Sequence, residues 1–178
     1  QRAEVDVAAA GVELDGDVGG LAERRIQIDL DEGAGAAVGV GERTDPGDVL
    51  ERHVLDKSLH KLSIRHLAVA AGDLVVFGCQ YEGPAQDFPP LLGFHRRGEQ
   101  PVLVAAPDGV HRDLKNYIGS VAADSSGTIV AASAPKGGLI TFWDASNRRY
   151  LGEKRLADGC GIAGEQQKGS FVLTSGTG

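Results

Sequence analysis

Ser120-Val121-Ala122-Ala123-Asp124-Ser125-Ser126-Gly127-Thr128-Ile129-Val130-Ala131-Ala132-Ser133 is the stretch that decides the fold. Two short runs of small and β-branched residues flank a Ser-Ser-Gly turn, and each run is too short for an ordinary helix. The same arrangement stands earlier, as Leu67-Ala68-Val69-Ala70, the turn Ala71-Gly72-Asp73, and Leu74-Val75-Val76-Phe77-Gly78-Cys79. Placing Gly72 over Gly127 also places Val75 over Val130, an offset of 55 residues. A third copy runs Cys160-Gly161-Ile162-Ala163, turns near Lys168-Gly169, and resumes at Phe171-Val172-Leu173-Thr174. Val130 to Val172 is 42 residues. Further strands follow the first two hairpins: Gly93-Phe94-His95 and Pro101 to Ala105 after one, Gly138 to Asp144 and Tyr150 to Leu156 after the other.

Four strands in about 40–55 residues is the arithmetic of a propeller blade, as in WD40-like repeats. A four-stranded sheet has two faces and cannot cover both alone, so blades stack around an axis and cover one another. Small residues then belong near the axis, as in Leu67–Ala70 and Val121–Ala123, and aromatic ones such as Phe94, Phe142 and Trp143 farther out. A β-sandwich shares the short strands and glycine-rich turns and is the competing arrangement. The expected fold is all-β, a partial β-propeller of about three to four antiparallel blades, the last of them incomplete.

Composition sets the outer bounds. The chain has 178 residues, 25 acidic and 18 basic, with a net charge of -7. That length suits one domain, which buries roughly 70% of the surface of its unfolded chain. No run of 18 apolar residues is present to span a bilayer. The acidic balance opposes a broad grip on nucleic acid, which depends on basic groups neutralising phosphates. Residues 1–45 carry 11 acidic and four basic side chains, and no aromatic residue. Eight glycines and eight alanines fill over a third of that segment, and residues 46–178 balance to zero charge. The division is therefore an atypical acidic segment over 1–45 and propeller blades over 46–178. Ala3–Val7 and Arg25–Leu30 alternate with the period of a strand, while Gly33–Gly41 suits either a closely packed strand or a loop. Strands of the same domain and a poorly ordered leader both fit the segment. No basic region leading into an apolar core opens it, and a processed chain would share that appearance.

His60-Lys61-Leu62-Ser63-Ile64-Arg65-His66-Leu67-Ala68-Val69 and Val76-Phe77-Gly78-Cys79-Gln80-Tyr81-Glu82-Gly83-Pro84 resemble a bacterial family of exported proteins of unknown function. Pro89-Pro90-Leu91, Asn116 to Ala122, Pro135-Lys136-Gly137-Gly138, Phe142-Trp143-Asp144 and Leu173-Thr174-Ser175-Gly176 agree with it. The resemblance covers about residues 47–178. It implies a seven-bladed β-propeller, exported to the periplasm by the twin-arginine route and often encoded beside imelysin-like iron-uptake proteins. No catalytic activity, residue set or cofactor comes with it. Family members are longer than this chain, so a partial ring would leave two blade faces open to self-association with another copy.

The most suggestive polar group precedes the inner strand at Leu67. Ser63-Ile64-Arg65-His66 would sit at the mouth of the channel, and Cys79-Gln80-Tyr81-Glu82 ends the neighbouring strand. Pairing across the Ala71–Asp73 turn would bring Arg65 or His66 to Gln80 or Glu82. That cup suits an anion or polar metabolite, with Arg65 as the forked donor; an Arg–Glu pair tying down a loop is the structural alternative. Metal ligation needs several convergent groups. The inventory is His53, His60, His66, His95, His111, Cys79 and Cys160, none in His-Glu-x-x-His or Cys-x-x-Cys spacing. His66, Glu82 and His111 on adjacent blades form the metal candidate. Cys79 and Cys160 fall in different blades, either paired or separate buried hydrophobes. Lys136 lacks the frame of a phosphate loop, Ser175 lacks the G-x-S-x-G setting, and Asp108-Gly109 suits a turn. The expected function is a non-catalytic binding or scaffold module of the periplasm, partnered by a protein or small polar ligand and linked to iron uptake. A metal-assisted enzyme at the channel mouth and a truncated product without its own function are the alternatives.

Overall fold

The computed structural model describes residues 51–177, together with the backbone of two earlier strands, β1 (Arg24–Asp29) and β2 (Ala37–Glu42). These two join β3 (Arg52–Val54) in an antiparallel sheet ordered β1-β2-β3. A four-stranded sheet follows in chain order: β4 (Leu62–Ala70), β5 (Leu74–Tyr81), β6 (Leu92–His95) and β7 (Val102–Val104). After a short helix α1 (Asp108–Asp113) comes a second such sheet of β8 (Ser120–Ala123), β9 (Ile129–Ala134), β10 (Leu139–Asp144) and β11 (Tyr150–Arg155). The hairpin of β12 (Gly159–Gly164) and β13 (Phe171–Ser175) completes the described elements. β8 packs between β4 and β12, so the sheets succeed one another through their first strands. This is an all-β domain of open antiparallel sheets resembling a partial, unclosed β-propeller. The alternation at 25–30 corresponds to β1, and the small residues ahead of Gly41 contribute to β2. Ala3–Val7 lies outside the described residues.

Stacking explains why the middle strands lack polar alternation. Leu74 to Cys79 on β5 are all buried, as are Val130 to Ala134 on β9, because a neighbouring layer covers each face. The outer strands β7 and β11 contain no buried residue, and β11 admits Glu153, Lys154 and Arg155. Phe77 lies across Gly93, its cross-strand partner, and fills the space where that residue has no side chain. Trp143 is buried, donates its indole N–H to Thr141 Oγ1 at 3.0 Å, and meets the Tyr150 ring edge-on.

Two features lock one sheet to the next. Gly78 on β5 faces the chain entering β8, where a Cβ would stand 2.4 Å from Ile118 Cγ2 and 2.9 Å from Val121 Cγ2. Only a hydrogen fits there. The second feature is Asp124, 4% exposed, in the β8–β9 turn. Its Oδ1 accepts the N–H groups of Thr128 and Ile129 at 2.9 and 3.0 Å. Its Oδ2 accepts Ser126 Oγ at 2.6 Å and, from the β12–β13 turn, Gly169 N–H at 2.9 Å. The turn also meets its counterpart in the previous sheet, through Ala71 N–H donating to Gly127 O at 3.0 Å.

Asp108-Gly109 opens α1 and is not an isolated turn. Pro107 precedes it in an extended conformation, Asp108 lies in the first turn, and His111 N–H closes on Pro107 O at 2.8 Å. His111 and Leu114 turn inward and are buried, which anchors the segment. The cysteines are both free: Cys79 is fully buried, its thiol pushed up to about 12 by that burial, whereas Cys160 is exposed rather than part of the core.

Replacing Gly78 by Val should lower stability by about 1–3 kcal/mol through overpacking, read as a fall in the urea midpoint. Burial pushes the Asp124 carboxyl up, but the bonds from Ser126, Ile129, Gly169 and Thr128 outweigh it and leave the pKa at about 2. Because this lies below the unfolded value of about 3.9, the stabilisation is complete above pH ~4 and fades as pH falls through 2. Asp124→Asn should cost about 2 kcal/mol at neutral pH and flatten the acid limb of a stability–pH curve.

Candidate functional site

Arg65 owes its position to a break in the strand ladder. Ser63–His66 lies inside β4 rather than ahead of it, because the strand begins at Leu62. Ile64 pairs with Cys79 and His66 with Gly78, so Arg65 is the extra residue of a β-bulge. A bulge re-aims the side chain it carries. Here Arg65 Nη2 donates to Gln80 Oε1 at 3.1 Å and lies 3.5 Å from Glu82 Oε1. The structure thus brings Arg65, Gln80 and Glu82 together. Among the described residues, Nε and Nη1 of the guanidinium make no hydrogen bond or ion pair. His66, next along the strand, is half-buried, and burial followed by the Arg65 charge holds its pKa below the ordinary histidine value.

His66, Glu82 and His111 do not converge as a metal centre. His111 is buried beside α1, and its Nε2 donates to the carbonyls of Phe88 and Pro89 at 3.2 and 3.0 Å. It holds the loop before β6. A different set comes together instead. Among the described residues, Glu51, His53 and His95 are the one group of three such side chains whose ligand atoms lie within 4.8 Å of one another.

Two strands supply this set. Glu51 immediately precedes β3 and His53 sits within it, two residues on, so extended backbone sends both to one side. His95 ends β6 and is 1% exposed. His53 Nε2 donates to Glu51 Oε1, Glu51 Oε2 stands 3.8 Å from His95 Nε2, and the two imidazole centroids are 4.4 Å apart. Gly98 N–H, in the turn after β6, donates to both Glu51 oxygens at 3.1 Å. Burial pushes the Glu51 carboxyl up, but the bonds from His53 and Gly98 and the fields of both histidines bring it below its ordinary value. Burial, with the neighbouring His53 charge, lowers the pKa of His95. Among the described residues neither ring nitrogen of His95 meets the geometry of a hydrogen bond, although the backbone and charge of Glu99 and the charge of Glu51 lie near enough to favour its protonated form. Each such buried orphan costs about 1–3 kcal/mol. The sequence held one weak signal for the set, the Glu51-x-His53 alternation; nothing in it pointed to His95. A shallow cavity of about 530 Å³, lined by Gly164, Glu165, Gln166, Gln167 and Val172, shares no residue with either group.

A family model described as "Protein of unknown function (DUF1513)" matches residues 3–178, and the chain belongs to that family. The match takes in the acidic first segment, which corrects the narrower span of about 47–178 read from the sequence. No curated protein matches the chain. Among solved structures it is similar to Kluyveromyces lactis Hsv2p, with a TM-score of 0.52 and 16% identity over 86% of this chain and 47% of that one. The β-propeller domain of Cps50 (Swd1) from Myceliophteria thermophila gives 0.53 and 12%, over 79% of this chain and 45% of that one. Kuenenia stuttgartiensis hydrazine synthase gives 0.56 and 11%, over 84% and 55%. At these identities the likeness is one of fold alone. The chain spans about half the length of the structures it matches.

His66 should titrate below about 6.5 in an NMR ring-proton titration, and Arg65→Gln should move it upward by removing the adjacent charge. Protonation is harder in the folded chain than in the unfolded one, so this group's contribution to stability declines as pH falls below that value. A His66 midpoint unmoved by Arg65→Gln would contradict the described proximity.

Proposed function

We propose that this DUF1513 chain is part of a non-catalytic β-propeller binding module of the bacterial periplasm, serving iron uptake. The site would take a small ligand carrying an oxyanion beside a hydroxyl group. The observation that carries the reading is the bulged Arg65: Gln80 and Glu82 fix the guanidinium through Nη2, while its Nε and Nη1 groups make no hydrogen bond among the described residues. A guanidinium held in this way keeps the N–H groups of Nε and Nη1 to donate to a carboxylate or phosphate. Glu82 stands beside Nη2, where it would accept from a ligand hydroxyl and disfavour a second anion. Binding energy spent on such recognition needs no reacting group nearby. Support for the periplasm and for iron uptake comes from the sequence resemblance. No helix among the described residues is long and apolar enough to cross a membrane.

Calorimetry of the 178-residue chain against hydroxycarboxylates and phosphate esters tests the site. At least one ligand should bind, Arg65→Gln should weaken it about tenfold or more, equivalent to ~1.4 kcal/mol, and the ligand should be recovered chemically unchanged. Equal binding by the variant removes Arg65 from the site, and ligand turnover would favour an enzyme. Fractionation of the complete gene product in its native cell tests the compartment.

A further inference from the structure

We infer that Glu51, His53 and His95 bind one divalent first-row transition ion. Two imidazoles and one carboxylate form a donor set suited to zinc-like ions and poorly suited to magnesium or calcium, which prefer all-oxygen shells. The buried His95 is the strongest indication. It is 1% exposed, lies against the other two side chains, and among the described residues neither ring nitrogen meets the geometry of a hydrogen bond. A bound cation would take the lone pair of one nitrogen, a role that no protein group fills among the described residues.

The spacing is close to what coordination requires. Bonds of about 2.0–2.1 Å in a tetrahedral site set neighbouring ligand atoms about 3.3 Å apart; Glu51 Oε2 and His95 Nε2 are separated by 3.8 Å. All ligand atoms of the set lie within 4.8 Å of one another, so closing on an ion needs shifts of up to about 1.5 Å. On binding, the ion takes the place of the Nε2 proton that His53 directs at Glu51, and the imidazole stays neutral by carrying its proton on Nδ1. Gly98 N–H already orients the carboxylate from behind, the supporting bond that ligating carboxylates usually have. Side-chain exposures of 11% for His53 and 17% for Glu51 leave the group enclosed but reachable. Three protein ligands leave a fourth position for water or a ligand atom. The ion would also join β3 of the first sheet to β6 of the second. None of these residues belongs to the Arg65 group, so either reading can fail without the other.

Equilibrium dialysis of the tag-free 178-residue chain against zinc(II), read by elemental mass spectrometry, tests the inference. Cobalt(II) absorption reports coordination number. One zinc per chain is expected, with the intense visible bands of four- or five-coordinate cobalt. Glu51→Gln, His53→Ala and His95→Ala should each weaken binding at least about tenfold, while His60→Ala, exposed and outside the group, should bind as the parent does. Because His95 is buried, its variant counts only if circular dichroism shows the parent fold; Glu51→Gln and His53→Ala decide the matter otherwise. Absence of saturable zinc uptake by the parent chain, or parent-like binding by both of those variants, overturns the site.

Discussion

Adjacent sheets meet at their inner ends at separations that only a hydrogen or a methyl group allows, and the rest of the architecture follows from that approach. Gly78 against Ile118 and Val121, and Gly127 against Ala71, are points of close approach between the first and second four-stranded sheets. Because the strands meet so closely there, the backbone itself joins the sheets: Ala71 bonds to Gly127, Ile118 to Cys79 and Tyr81 to Asn116. No sheet here covers its own faces. Each middle strand is buried by the neighbours on either side, so the free energy of one sheet is largely a property of its contacts with the next.

Polar groups are used in two contrasting ways within this frame. Asp124 is buried and fully engaged, its carboxylate collecting four donors from two segments of chain. Such a charge strengthens a junction because no lone pair is left without a partner. His95 is buried without a hydrogen bond among the described residues. A packed interior tolerates an orphan of this kind when it serves something other than packing. Arg65 shows a third use, in which a bulge removes one residue from the ladder and presents its side chain beside the end of the neighbouring strand.

The hairpins were legible in the sequence because their turn chemistry is local. Gly72-Asp73 adopts positive φ at both positions, and Gly127 does so at the equivalent turn. The Arg65, Gln80 and Glu82 grouping was also legible, since a hairpin's register follows from its turn. The bulge itself left no mark, because it depends on how two strands twist past each other. α1 was missed for a similar reason: Asp108-Gly109 reads as a turn until His111 and Leu114 find an interior to occupy. His53 and His95, 42 positions apart, became neighbours only through the packing of two different sheets.

By itself, the amino-acid order determined the short strands, their turns, the small inner residues and the repeat that makes sheets stack, all consequences of interactions within a few residues of one another. Which side chains meet between sheets was decided by tertiary structure alone. Glu51, His53 and His95 converge, while His66, Glu82 and His111 stay apart, because side-chain proximity across sheets depends on their relative position, which no local spacing encodes.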